Sequence, residues 1–116
     1  MKHSHTAPLE VLAPKSNGNF ATEPYEAGWA EEAMAIIYVR ECMGPAPRLV
    51  LRPQISADGM RWLDLGVAPL VLEEVGAAHI PLARFGNWLR LTGEVSGGPG
   101  DGSTAFVIDI YWILKG

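Results

Sequence analysis

The chain has 116 residues, a formal net charge of −4 and an apolar fraction of 48%. That length supports one domain with an adequate core. The acidic balance, with basic residues scattered singly, excludes a phosphate-tracking nucleic-acid surface. Charged residues make up only 19% of the chain, less polar cover than a small monomer calls for, so part of its apolar surface is expected to meet a partner.

Residues 1–28 carry Pro8, Pro14 and Pro24 around Asn17-Gly18-Asn19 and show neither helical nor strand periodicity. They read as an extended N-terminal arm in front of a domain spanning 29–116. An arm so poor in internal pattern has little to pack against in its own chain. Its anchors Leu9, Val11, Leu12, Phe20 and Tyr25 are therefore assigned to a neighbouring subunit. The opening residues lack the apolar run of a secretory signal, and no segment is long enough for a membrane span. Synthesis in the cytoplasm without a signal peptide is expected, as is a partner list without membrane; the protein could still end as part of a released particle.

"WAEEAMAIIYVRECMG" mixes helix formers with β-branched and aromatic residues. It reads as a strand over 33–42, with Ala35, Ile37 and Val39 on one face and Met34, Ile36 and Tyr38 on the other. A short helix over 29–34 is the competing reading. Gly44-Pro45-Ala46-Pro47 ends the element. In "RLVLRPQIS", Leu49, Leu51 and Ile55 alternate with Val50, Arg52 and Gln54, and Pro53, which cannot donate to a ladder, places this strand at an edge or a bulge. Ala57-Asp58-Gly59 is a hairpin signal. "RWLDLG" returns from it with Trp62 and Asp64 on one face. Shorter strands follow near 69–73 and 78–83, limited by Pro69 and Pro81. "WLRLTGEV" alternates Leu89, Leu91 and Val95 with Trp88, Arg90, Thr92 and Glu94, and "SGGPGDGS" is a glycine-rich loop.

The last strand, from Thr104 to Leu114, is apolar on both faces. Phe106, Ile108, Ile110, Trp112 and Leu114 line one side. Ala105, Val107, Tyr111 and Ile113 line the other, interrupted by Asp109. In a two-layer sandwich one face should be wet, so Val107, Tyr111 and Ile113 are assigned to a subunit contact. Short strands separated by Gly/Pro turns give an all-β fold, an antiparallel β-sandwich of jelly-roll type.

Chemistry-bearing residues are sparse. His3 and His5 lack a third ligand or a rigid scaffold, and His79 beside Pro81 reads as a core or edge histidine. Cys42, the only cysteine, excludes an intrachain disulfide; beside Glu41 it reads as a buried structural thiol rather than a nucleophile. Glu31-Glu32 and Glu73-Glu74 are adjacent pairs that face opposite ways on a strand. Asp64 and Asp109 each interrupt an apolar run and call for an arginine partner from Arg40, Arg52, Arg61 or Arg90. No catalytic, cofactor-binding or metal set is assigned, and no cofactor is expected. Trp62, Trp88 and Arg90 could line a sugar platform, although large aromatics also fill sandwich cores and interfaces.

"SADGMRW", residues 56–62, resembles the Ser-x-Asp-Gly-x-x-Trp hairpin of discoidin-like sandwiches and of small β-sandwich modules in phage particles. "WLRL", residues 88–91, looks like a later strand of those modules. The resemblance covers about half the chain and implies a sandwich fold; it transfers no site residue. The expectation is a non-enzymatic structural protein that assembles with itself into a shell, tube, fibre or virion-like particle. The alternative is a carbohydrate-binding module using Trp62, Trp88 and Arg90.

Overall fold

A computed structural model describes residues 3–97 and 104–116, so most of the glycine-rich loop read at 96–103 lies outside the described residues. The strands are β1 (Ser4–Ser16), β2 (Gly18–Ala21), β3 (Tyr25–Glu26), β4 (Glu32–Met43) and β5 (Arg48–Ser56). They continue with β6 (Leu63–Asp64), β7 (Leu70–Leu72), β8 (Gly76–Ala83), β9 (Trp88–Ser96) and β10 (Ala105–Lys115). No helix occurs among the described residues, so the helical reading of 29–34 is not realised: Glu32 already lies in β4.

The strands form two antiparallel sheets, β1-β10-β4-β8 and β2-β9-β5-β6, with β3 also on β9 and β7 also on β5. Because β2 and β3 share one partner, and β6 and β7 another, each pair is a single interrupted strand, which reduces ten strands to eight. The sheets then read first-eighth-third-sixth and second-seventh-fourth-fifth. The first strand pairs with the last, and so inward to the innermost pair, as when one long hairpin is wound on itself. This is the jelly-roll winding of an antiparallel sandwich.

Period-two alternation sorts the side chains. Phe106, Ile108, Ile110, Trp112 and Leu114 of β10 are fully buried, together with Ile37, Leu49, Leu51, Leu89 and Leu91 from the strands around them. Each such aliphatic side chain stabilises the fold by about 1.5–3 kcal/mol. Trp112 fits because its neighbours in both adjacent strands are alanines, Ala7 and Ala35, at its own register. Large and small side chains alternate across the sheet as close packing requires. On β9, Gly93 faces the core directly opposite Phe20 of β2, and the phenyl ring occupies the space a Cβ on Gly93 would need.

Residues 1–28 do not stand apart from the sandwich. Ser4–Ser16 hydrogen-bonds along the whole of β10, and Gly18–Ala21 and Tyr25–Glu26 pair with β9. Leu9, Phe20 and Tyr25 pack against the chain's own core. Backbone pairing rather than side-chain pattern orders the segment, which is why periodicity missed it; prolines and bulges scramble the alternation. The boundary between an arm at 1–28 and a sandwich at 29–116 accordingly has no counterpart in the sheets.

Pro53 is also placed differently. Its strand, β5, is interior, flanked by β9 on one side and β6 and β7 on the other. The carbonyl of Pro53 accepts from Leu65 N–H at 3.1 Å, so its missing donor faces the β6/β7 side. There the partner strand is broken between Asp64 and Leu70. The proline sits at a gap in the ladder instead of at an edge.

Candidate functional site

The outer face of the β1-β10-β4-β8 sheet carries apolar side chains in successive rows. Strand registers align Thr6, Ile113, Met34 and Pro81 in one row, and Pro8, Tyr111, Ile36 and His79 in the next. A third row holds Asp109, Tyr38 and Ala77. Tyr38 meets Tyr111 edge-on at 6.1 Å. All these side chains except Asp109 are half-buried or exposed, and Tyr38 is 40% exposed. Val107 lies further along the same face and is also half-buried. Of the strand residues assigned to a subunit contact, Val107, Tyr111 and Ile113, all three thus share one solvent-facing surface.

At the Glu32 and Lys115 end of this surface lies a groove of about 380 Å³, lined by Met34, Pro81 and Ile113. At the other end the ladder is irregular. β1 spends 13 residues against the 11 of β10, and the two extra residues appear as bulges between Pro8 and Glu10 and between Glu10 and Ala13. The second bulge turns Val11 and Leu12 outward, at 58% and 57% exposure, with Leu12 in the left-handed region at φ 47°. These two arm residues are not absorbed by the core.

Asp109 faces that bulge. Its Oδ1 accepts Leu12 N–H at 2.6 Å and its Oδ2 pairs with Arg40 Nη1 at 3.2 Å. Arg40 is itself the extra residue of a bulge in β4, opposite the step from Val107 to Ile108. One carboxylate therefore bridges bulges in both neighbouring strands, in the arginine pairing expected of a buried Asp. Asp64 differs: it is exposed and accepts from Gln54 Nε2 at 2.9 Å, with no arginine on it.

The outer face of the other sheet is polar. The Arg90 guanidinium lies 4.3 Å from the Trp62 ring centroid, and its Nε donates to Gln54 Oε1 at 2.8 Å. With Asp64 on the amide of Gln54, a chain of contacts runs Asp64–Gln54–Arg90–Trp62. Trp88 sits apart, its indole beneath Gly59. The three residues proposed as a sugar platform share this side, but Arg90 covers one face of Trp62 and the turn covers part of Trp88.

The turn itself is built on two side chains. Ser56 Oγ accepts Asp58 and Gly59 N–H at 3.2 and 2.8 Å. Asp58 Oδ1 accepts Met60 and Arg61 N–H, each at 2.9 Å, and Oδ2 accepts Arg61 Nε at 3.0 Å. These donors, led by the Arg61 N–H, hold the Asp58 carboxyl well below the usual carboxylate range. Gly59 supplies the φ of +77° the turn requires.

The remaining candidates have structural surroundings. His3 pairs through its backbone with Gly116, His5 stacks on Tyr25, and His79 stands exposed on the edge strand β8. Cys42 is half-buried rather than buried, because it lies near the end of β4, with Sγ 4.0 Å from the Glu73 carbonyl. Among the described residues no three His, Cys, Asp or Glu side chains are grouped to hold a metal ion.

No family model and no curated protein matches the chain. Solved structures match the fold. The PBSX exported protein XepA superimposes with a TM-score of 0.59 at 8% identity, over 98% of this chain and 36% of that one. A protein of infectious bursal disease virus, Gx strain, gives 0.58 at 10% identity, over 98% and 32%. The CBM36-1 domain of a multidomain xylanase from the hindgut metagenome of Trinervitermes trinervoides gives 0.51 at 8% identity, over 96% of both chains. The chain thus spans about a third of the first two proteins and nearly all of the third. At such identities the likeness is one of fold alone, an antiparallel sandwich.

Proposed function

We propose that the chain is a non-enzymatic structural protein that associates with copies of itself, as a component of a shell, tube, fibre or virion-like particle. The observation that carries this reading is the outer face of β1-β10-β4-β8, where half-buried Met34, Ile36, Tyr111 and Ile113 adjoin exposed Tyr38 in contiguous rows that no other element among the described residues covers. A continuous apolar surface on a small domain marks an interaction site. The exposed Val11–Leu12 bulge at its border extends the contact. A solved viral particle with a domain of this fold, at a TM-score of 0.55, supports the reading. The test is Ile36→Lys: sedimentation across a concentration series should show association of the parent protein and a folded monomer for the variant. A parent protein that stays monomeric at millimolar concentration would refute the proposal.

The second reading is glycan binding by the outer face of the other sheet, through Trp62, Trp88 and Arg90. The match to a carbohydrate-binding domain over 96% of both chains favours it. Glycan-array binding that disappears in a folded Trp88→Ala variant would establish it; an array without signal would remove it.

A further inference from the structure

Resting on the self-association reading, we infer that the partner on this face is a second copy related by a twofold axis running across the strands, along the row Pro8–Tyr111–Ile36–His79. Outward positions of β4 fall at every second residue, Glu32, Met34, Ile36, Tyr38 and Arg40, while the residues between them, from Ala33 to Val39, are buried. Ile36 is the midpoint of that series. A twofold axis through it, in the plane between two stacked faces, sets Glu32 of one copy against Arg40 of the other and Met34 against Tyr38. The opposite charges meet twice, once at each end.

Shape selects the same arrangement. Tyr38, 40% exposed, lies on one side of the Ile36 row, and the groove of about 380 Å³ lined by Met34, Pro81 and Ile113 lies on the other. The cross-strand axis lays each Tyr38 over the partner's groove. An axis parallel to the strands would also pair Glu32 with Lys115 of the second copy. It would, however, stack groove on groove and bring the two Tyr38 ends together, leaving a void at one end and a clash at the other. Isologous contacts of this kind need a self-complementary patch; both axes bring Glu32 to a cation, and the relief of the face favours the cross-strand one.

The area suits such a pair. Four strands about 4.8 Å apart and eight residue steps of about 3.4 Å give roughly 500 Å² in projection, and more as accessible surface. A standard interface removes about 800 Å² per partner, so the face is sized for a concentration-dependent dimer rather than for a small peptide.

Cross-linking tests the axis. On a Cys42→Ser background, Glu32→Cys and Arg40→Cys proteins are mixed and treated with a bis-maleimide of about 10 Å span, the spacing of stacked sheets. The mixed product should exceed the Glu32→Cys self-product by at least about tenfold, because the axis separates the two Glu32 positions by roughly 27 Å along the strands. Glu41→Cys replaces Arg40→Cys if loss of the Asp109 ion pair unfolds the latter. A self-product equal to the mixed one, or no product while sedimentation still reports a dimer sensitive to Ile36→Lys, would overturn the axis and leave self-association standing. A parent protein that never associates would overturn both.

Discussion

Asp109 Oδ1 accepts the backbone N–H of Leu12 at 2.6 Å, so a side chain on β10 stands in for a ladder carbonyl at the bulge in β1. The carboxylate is 4% exposed, and its other oxygen holds Arg40. Asp109→Ala leaves a backbone donor without its partner and removes the arginine's counter-ion. A loss of about 1–3 kcal/mol is expected in urea denaturation. Asp109→Asn, whose amide oxygen can still accept from Leu12, should lose less.

Leu12 combines a φ of 47° with 57% exposure. A left-handed conformation costs a branched residue about 1–2 kcal/mol, and little packing offsets it. Leu12→Gly should therefore stabilise the monomer by up to about 1 kcal/mol after the entropy cost of glycine. If Val11 and Leu12 contribute to self-association, the same variant should associate more weakly. Thermal melting and sedimentation together read both effects, and strain held for a contact predicts that they move in opposite directions.

Gly93 is the floor on which Phe20 lies. Gly93→Ala drives a methyl group into the ring and should cost about 1–3 kcal/mol by overpacking. Adding Phe20→Leu should recover part of that loss, whereas two independent effects would sum. Denaturation of the two single variants and the double variant measures the difference.

The Asp58 turn predicts a pH response. Its carboxyl titrates well below the usual range in the folded chain because the Arg61 and Met60 N–H groups and the Arg61 side chain favour its charged form. In the unfolded chain it titrates near about 3.9. A depressed folded value means the contribution is fully present above the unfolded pKa and is lost as pH falls through the folded one. The amide resonances of Met60 and Arg61 should hold their positions down to about pH 3 and move only below it. Movement centred near pH 4 would show that the turn hydrogen bonds do not form.

Several elements were legible in the chain itself. The alternation of Phe106, Ile108, Ile110, Trp112 and Leu114 marked one face of β10, which the structure buries, and that of Met34, Ile36 and Tyr38 against Ala35, Ile37 and Val39 separated the two faces of β4 without saying which is outermost. Ser56, Asp58 and Gly59 announced the turn, since local side-chain-to-backbone bonds need only neighbouring residues. The strand reading of 33–42 also prevailed over the helical alternative at 29–34, because Ile36, Ile37 and Val39 fit a pleated surface.

The N-terminal segment was illegible for the opposite reason. Its order comes from backbone pairing with strands far along the chain, as between Ser4 and Lys115 or Tyr25 and Leu89, and backbone pairing leaves no pattern when bulges break the alternation. Sequence likewise showed that Asp109 needed a partner without showing that it would bridge two bulges. The sequence alone determined which side chains avoid water and where the chain turns, because both follow from residue type and near neighbours. Only the tertiary structure decided which strands pair, that the leading residues belong to the sandwich, and that Thr6, Met34, Ile36, Tyr38, Tyr111 and Ile113 share one open face. Those outcomes depend on contacts between distant parts of the chain, and the strand order that creates them is a property of the whole fold.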